Sequence, residues 1–118
     1  MKKTILLIED EENQRILYSE ELEKEGYTVF TASDGLKGLK IIEEKQIDLV
    51  VLDIRMPEMD GLETLSKILG ERKNLPVIIY TAYPHYKTNF MSWGADIYLV
   101  KSSNINELKE KVKELLGE

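Results

Sequence analysis

Four short apolar runs, none of which alternates with polar residues, limit what this chain can fold into. Each has the length of a β-strand and is rich in β-branched or aromatic residues. The runs are Ile5–Ile8, Leu49–Leu52, Val77–Tyr80 and Ile97–Val100, with a weaker fifth run at Thr28–Thr31. Because a continuous apolar strand is buried on both faces, these runs predict a parallel sheet covered by helices on either side.

The segments between the runs carry apolar residues at the spacing of a helix. The sets are Leu36, Leu39 and Ile42; Leu62, Leu65 and Ile68; and Ile105, Leu108, Val112 and Leu115. Strand and helix therefore alternate along the chain, which is typical of an α/β protein with a doubly wound parallel sheet. A length of 118 residues is enough for one hydrophobic core and too small for two, so we predict a single domain over residues 1–118.

The charge and composition exclude several classes of protein. A net charge of −6 argues against direct binding to nucleic acid or to anionic membranes, for which a basic surface is expected. The chain has no cysteine and therefore no disulfides, and no apolar run approaches the roughly 20 residues that span a bilayer. The start of the chain is not typical of a signal peptide either. We therefore expect a cytoplasmic protein whose partners are proteins, small ions or both.

Charged and polar residues follow four of the predicted strands at the point where each strand ends. Glu9 and Asp10 follow the first strand, Asp53 the third, Thr81 the fourth and Lys101 the fifth. Each of these residues is ordinary at a protein surface when taken alone. Because the carboxyl ends of parallel strands meet at one edge of a sheet, we predict that together they form a single site.

The residue types of this site favour phosphate chemistry with a metal ion. Carboxylates held together repel one another unless a cation is present, and an all-oxygen set of ligands suits Mg²⁺. The carboxylate of Asp53 is also a competent nucleophile that can form an aspartyl phosphate. Lys101 would neutralise part of the phosphoryl charge, and the hydroxyl of Thr81 would donate a hydrogen bond to it.

These residues and their surroundings resemble the receiver domain of two-component response regulators, with the single-domain receivers of chemotaxis and of sporulation phosphorelays as the nearest types. The resemblance spans nearly the whole chain and rests on these motifs: Glu9-Asp10, Asp53, Met56-Pro57, Asp60-Gly61, Thr81-Ala82, Gly94-Ala95-Asp96 and Lys101. It implies a flavodoxin-like sheet with strand order 2-1-3-4-5. It also implies that Asp53 accepts a phosphoryl group from a histidine kinase or a histidine phosphotransfer protein, which switches a surface that binds a downstream protein.

The same resemblance implies how the metal ion and the phosphoryl group are bound. Mg²⁺, or Mn²⁺ in its place, would be bound by Asp10, Asp53 and the backbone carbonyl of Arg55, with Glu9 assisting through water. The hydroxyl of Thr81 would move toward the phosphoryl group.

The resemblance also implies that further residues take part in switching and affect the rate of dephosphorylation. Lys101 would contact a phosphoryl oxygen, and the ring of Tyr98 would turn inward when Thr81 moves. The pairing of Arg55 with Tyr83 is similar to that of the sporulation-phosphorelay receivers. Because both of these side chains are bulky, we expect them to exclude water and to give an aspartyl phosphate that lasts minutes to hours.

The chain departs from the family pattern at two places. Ser102 follows Lys101, where the family usually has proline. The span from Thr81 to Gly94 is shorter than usual, and it lies between the fourth and fifth strands. We therefore predict a shortened fourth helix in this span.

Two other functions would use the same residues. A phosphatase would use Asp53 and Mg²⁺ to hydrolyse small phosphate esters, although such enzymes tend to carry a second aspartate where this chain has Arg55. A receiver-like module that no longer takes phosphate would be expected to lack one of the site residues, and this chain has them all. We therefore predict a phosphoacceptor that is no enzyme beyond its own phosphorylation and slow autodephosphorylation.

Overall fold

The computed structural model describes residues 2–54, 60–82, 93–102 and 104–118. Five strands form one sheet: β1 (Thr4–Ile8), β2 (Thr28–Ala32), β3 (Leu49–Leu52), β4 (Val77–Thr81) and β5 (Ile97–Val100). The described helices are α1 (Glu12–Lys24), α2 (Gly35–Glu44), α3 (Asp60–Glu71) and α4 (Asn106–Leu116). None of these four helices is long and apolar enough to cross a membrane.

The sheet is parallel throughout, with strand order β2-β1-β3-β4-β5. The five apolar runs of the sequence are its five strands, so the predicted α/β fold and the implied strand order are confirmed. The order reverses between β1 and β3, which is the switch point where ligands bind in such sheets. Ile8 and Leu52 are register partners there, so Glu9 and Asp53 leave the ends of neighbouring strands side by side.

Two apolar clusters cover the two faces of the sheet. One packs the strands against α2 and α3, and the other packs them against α1 and α4; we call these faces the α2–α3 face and the α1–α4 face. The helical residues buried in the two clusters are Ile42, Leu65 and Ile68 on the first face, and Tyr18, Leu22, Leu108 and Val112 on the second. Burial on both faces explains the continuous apolar runs of β1, β3, β4 and β5, whereas β2 at the edge of the sheet is partly exposed and carries two exposed threonines.

Helix α1 begins immediately beyond the first strand because Glu11 caps it. The two carboxylate oxygens of Glu11 accept the backbone N–H groups of Asn13 at 3.2 Å and Gln14 at 2.9 Å. A carboxylate in this position satisfies free N–H donors and also suits the positive end of the helix dipole. The short connection leaves Glu9 and Asp10 in the turn at the carboxyl edge of the sheet.

The helix predicted between β4 and β5 falls almost entirely on residues 83–92, which lie outside the described residues; its expected last residue, Trp93, is described and packs against the cluster on the α2–α3 face. Gly94, which follows Trp93, has a φ of +92°, a left-handed conformation that is common just past the end of a helix. A Cβ at this position would lie 2.6 Å from Leu69 Cδ1. Conformation and space therefore both favour glycine at this position.

Candidate functional site

Residues at the carboxyl ends of β1, β3 and β5 meet at one edge of the sheet. The Lys101 ammonium lies 2.7 Å from Glu9 Oε1 and 2.8 Å from Asp53 Oδ2. The three side chains are only 11%, 2% and 9% exposed, respectively, so water screens these ion pairs little. The structure thus brings together three of the predicted site residues, which are far apart in the sequence.

Main-chain hydrogen bonds continue beyond the strands and fix the backbone of the site. The N–H of Asp53 donates to the carbonyl of Ile8 at 3.1 Å, and the N–H of Lys101 donates to the carbonyl of Thr81 at 2.7 Å. The two side chains therefore project from an extension of the sheet rather than from free loops. A rigid support of this kind is what a site with defined distances requires.

The pleat of the sheet divides the predicted site residues between its two faces. Side chains along a strand alternate between faces, so residues two positions apart share a face. Glu9, Asp53 and Lys101 each come two positions after a residue of the cluster on the α1–α4 face. Thr81 comes two positions after a residue of the other cluster, in which Tyr98 is also buried. The charged residues and the predicted switch residues thus extend from opposite faces.

Glu9, Asp10 and Asp53 form an acidic cluster in which one carboxylate oxygen of each lies within 4.8 Å of the others. Carboxylate oxygens are the ligands that Mg²⁺ prefers, and a magnesium site commonly uses one or two of them together with waters and phosphate oxygens. Three carboxylates against the ammonium of Lys101 leave two negative charges, which a divalent cation balances. The residues at this edge therefore fit a bound Mg²⁺ ion.

Burial and ion pairing act in opposite directions on the pKa values of the site. Burial raises the pKa of the Glu9 carboxyl, although the hydrogen bond and charge of Lys101 oppose the rise. Burial alone would lower the pKa of Lys101, but its hydrogen bonds to Asp53 and Glu9 more than offset this and raise the pKa. Lys101 is therefore a permanent cation at neutral pH, whereas burial opposes the negative charge of Glu9.

The raised pKa of Glu9 predicts that metal-free protein becomes more stable as the pH falls from neutral toward 4.5. Between its ordinary value of 4.5 and its raised pKa, the folded chain binds a proton that the unfolded chain does not. Hydrogen bonds to Lys109 and Lys113 lower the pKa values of Glu21 and Glu25, respectively. The stability that these two carboxylates contribute to the folded protein is therefore lost only as the pH falls below 4.5. Urea unfolding in EDTA measures the trend, which Glu9→Gln should lack. A flat wild-type profile contradicts the argument.

Thr81 and Tyr98 are both buried on the α2–α3 face. Thr81 is 0% exposed, and its hydroxyl has no hydrogen-bond partner among the described residues. Buried polar atoms are usually hydrogen-bonded, so this hydroxyl is a candidate donor to a ligand. Tyr98 is 3% exposed and packs in the core.

A cavity of about 430 Å³ borders the acidic cluster on the side of α2 and α3. Asp10 and Asp53 form part of its wall, and Leu36, Thr64 and Lys67 line it from the two helices. A water molecule takes up about 30 Å³ in the liquid, so the cavity has room for a phosphoryl group with hydrating water. Asp53 is thus accessible from this side although its side chain is largely buried.

Three residues of α1 that the sequence reasoning missed also contact the site. Gln14 Oε1 accepts a hydrogen bond from the Lys101 ammonium, which also lies 5.5 Å from the centre of the Tyr18 ring. The Arg15 guanidinium donates to the backbone carbonyl of Glu9 at 2.9 Å. The sequence feature that could have indicated Gln14 and Tyr18 is their spacing, because they lie one helical turn apart in the helix that directly follows the acidic pair.

Arg55 and Tyr83 lie outside the described residues, as does the Met56-Pro57 motif. The backbone carbonyl of Arg55 as a metal ligand, and the two side chains as barriers to water, therefore stay predictions.

Comparison with known proteins identifies relatives along almost the whole chain. The sequence profile of the response regulator receiver domain matches residues 5–113. Sporulation initiation phosphotransferase F of Bacillus subtilis is 37% identical over 118 residues, which cover 98% of this chain and 95% of that protein. The alkaline phosphatase synthesis transcriptional regulatory protein PhoP of the same organism is 36% identical over 98% of this chain, which spans only 49% of PhoP.

Solved structures extend this likeness to three dimensions. Response regulator protein TrrA from Thermotoga maritima, solved in complex with Mg(2+)-BeF, is 49% identical with a TM-score of 0.89, over 97% of this chain and 99% of that one. The structure of histidine kinase ThkA in complex with TrrA also contains a similar chain, which is 49% identical with a TM-score of 0.87, over 97% of this chain and 98% of the matched chain. The chain belongs to the family of response regulator receiver domains, the phosphorylation-related modules of two-component systems.

Proposed function

We propose that this receiver domain takes a phosphoryl group onto Asp53 from a phosphohistidine and signals to a protein partner. The observation that carries the proposal is the 2.8 Å contact between the Lys101 ammonium and Asp53 Oδ2, beside the acidic cluster. It combines a nucleophile, a permanent positive charge and a set of metal-binding oxygens at one edge of the sheet. The adjoining cavity gives a phosphoryl group access to them.

In the proposed transfer, a carboxylate oxygen of Asp53 forms a bond to phosphorus while the phosphorus–nitrogen bond of phosphohistidine breaks. The electron pair of that bond stays with the imidazole, which takes up a proton. Because Lys101 already contacts the Asp53 carboxylate, its ammonium needs only a small movement to reach a phosphoryl oxygen. Mg²⁺ or Mn²⁺ would be held by Asp10, Asp53 and the expected backbone carbonyl of Arg55, with Glu9 assisting, and would supply positive charge for the phosphoryl oxygens.

Thr81 and Tyr98 are the proposed switch residues. The Thr81 hydroxyl is buried without a partner among the described residues, so donating to a phosphoryl oxygen would satisfy it. Tyr98 is buried on the same face of the sheet, where its ring would respond to the space that Thr81 leaves. The two movements together would alter the surface near β5 and α4 that a downstream protein recognises.

We infer that the phosphoryl donor is a histidine kinase or a histidine phosphotransfer protein. A relative at 49% identity, TrrA, was solved in complex with the histidine kinase ThkA. On this chain, Ile16 and Leu17 are about half exposed on α1, the helix that follows Glu9 and Asp10, and exposed apolar side chains there suit a protein partner. The absence of cysteine from the 118 residues favours the cytoplasm as the place of action.

Incubation with acetyl phosphate and Mg²⁺, followed by intact-mass measurement, tests the proposed function. A phosphoacceptor gains the mass of one phosphoryl group. A phosphatase would instead release free phosphate from several esters and keep no adduct, and a module that no longer takes phosphate would do neither. Either of these last two results contradicts the proposal.

We predict that the aspartyl phosphate lasts minutes to hours. Hydrolysis needs a water molecule in line with the bond between Asp53 and phosphorus, and Arg55 and Tyr83 are bulky residues at positions expected to flank that line. The Arg55→Asn, Tyr83→Glu double variant should therefore lose its phosphoryl group faster than wild type. Intact-mass measurements at intervals after removal of acetyl phosphate give both half-lives. A wild-type half-life of a few seconds, or equal half-lives, would show the prediction to be wrong.

We predict that Mg²⁺ stabilises the fold and that Asp10→Asn stabilises the metal-free form. Because Mg²⁺ would bind only the folded protein, it should raise the free energy of unfolding by about 2.7 kcal/mol at a hundredfold excess over Kd. In EDTA, Asp10→Asn removes one of three repelling carboxylates and should raise the free energy of unfolding by about 0.5 kcal/mol, a small gain because water screens this exposed side chain. Thermal melts measure both effects, with Asp34→Asn at the N-cap of α2 as the control. An Asp10→Asn variant that melts no higher than wild type in EDTA refutes the repulsion argument.

A further inference from the structure

Gln14 supplies the third acceptor of the Lys101 ammonium. An ammonium carries three N–H donors, and here each has an acceptor: Glu9 Oε1 at 2.7 Å, Asp53 Oδ2 at 2.8 Å and the side-chain oxygen of Gln14. Two of these acceptors are carboxylates of the acidic cluster, and the third is a neutral amide from α1. We propose that Gln14 is a positioning residue that holds Lys101 beside Asp53 before and after phosphoryl transfer, an inference that rests on the proposed function.

The side chain of Gln14 starts from a fixed point in the fold. Its backbone N–H donates to Glu11 Oε2 at 2.9 Å in the first turn of α1, and the residue is half-buried. Tyr18 lies one turn further along the same face of the helix, with its ring centre 5.5 Å from Lys101 Nζ. That ring packs edge-on against Tyr80 at a centroid distance of 5.2 Å. Helix α1 thus presents an amide oxygen and an aromatic ring to one ammonium.

A neutral acceptor has an advantage over a third carboxylate in this position. When Asp53 becomes an acyl phosphate, Lys101 exchanges a carboxylate oxygen for a phosphoryl oxygen, and its long flexible stem needs another restraint during the exchange. The amide of Gln14 keeps the same charge throughout, so its hydrogen bond serves in both states. Because the amide is uncharged, it also competes less with the phosphoryl group for the cation than a carboxylate would.

The first test measures the kinetics of phosphorylation by acetyl phosphate with Mg²⁺. Gln14→Met keeps the length of the side chain but removes the acceptor. We expect its maximal rate to fall about three- to tenfold, the range for one lost hydrogen bond, with the half-saturating acetyl phosphate concentration little changed. The control is Gln46→Met, because Gln46 is the other glutamine of the chain and is exposed at the opposite end of the sheet. It should match wild type.

The second test needs no phosphorylation, because it follows hydrogen exchange of the Lys101 ammonium by NMR in metal-free protein. We expect a protected ammonium signal in wild type and faster exchange in Gln14→Met. Gln14→Glu keeps an acceptor oxygen, so it should retain the protected signal. Its phosphorylation should nevertheless be slower than that of wild type, because the added charge repels the phosphoryl donor. A side chain that only supports the helix would not separate the Met and Glu variants in this way.

The outcomes distinguish this inference from the proposed function. If wild type takes no phosphoryl group from acetyl phosphate, the proposed function fails, and the positioning role fails with it. If wild type is phosphorylated but Gln14→Met matches it in rate or in exchange, the positioning role alone is overturned. Support requires both a slower rate and faster exchange in Gln14→Met, with Gln46→Met unchanged in both.

Discussion

Replacement of Asp53 by asparagine should reduce phosphorylation by acetyl phosphate to background. The two side chains have nearly the same shape, but the amide of asparagine is a poor nucleophile where the carboxylate is a competent one. An amide oxygen can still accept the hydrogen bond that Lys101 donates to Asp53 at 2.8 Å, so the fold should persist. Intact mass after incubation with acetyl phosphate and Mg²⁺ should show no added phosphoryl group in this variant.

The matched control is an aspartate at the other end of the same strand. Asp48 comes just before β3 and accepts the N–H of Thr4 at 2.7 Å, a role that asparagine can also fill. Asp48→Asn should therefore be phosphorylated like wild type. If the Asp53→Asn variant gains a stable phosphoryl group at a rate close to that of wild type, another residue is the acceptor.

Replacement of Lys101 by methionine should destabilise the metal-free protein by about 3 kcal/mol at pH 8, because removing one partner of a buried ion pair leaves the other charge uncompensated. The carboxylates left behind belong to Glu9 and Asp53, which are 2% and 9% exposed. Protonation of Glu9, whose pKa burial already raises, offers one form of relief. Bound Mg²⁺ offers another. The loss of stability should therefore be smaller at pH 5, and smaller again with Mg²⁺ present.

Urea unfolding in EDTA measures this loss, and an exposed lysine provides the control. Lys113 is 50% exposed and pairs with Glu25 at 3.3 Å. Lys113→Met should change the free energy of unfolding by no more than about 0.5 kcal/mol, as is usual for exposed pairs. If Lys101→Met unfolds at the same urea concentration as wild type at pH 8, the ion pairs at the sheet edge contribute nothing to stability. A loss that Mg²⁺ does not reduce would contradict the assignment of the acidic cluster as the metal site.

The fold was predictable because strand burial is encoded locally. Runs such as Leu49–Leu52 carry no polar residue, and their short length and β-branched residues favour a strand that is covered on both faces. The placement of the acidic pair and Asp53 was predictable for a related reason, since each directly follows such a run. Strand order came from the resemblance to receiver domains and not from the apolar pattern, because the pattern of one strand does not depend on its neighbour.

The identities of the candidate site residues were therefore available from the sequence, whereas the contacts among them were not. The sequence by itself determined a parallel, doubly wound sheet with carboxylates, a hydroxyl and a lysine at its carboxyl edge, because both features follow from the order of apolar and polar residues. Only the tertiary structure decided that Lys101 contacts Glu9, Asp53 and Gln14 at once. It also decided that Thr81 extends from the opposite face. These contacts depend on strand register, on the pleat and on how α1 packs against the sheet, and each of these joins residues that are distant in the sequence.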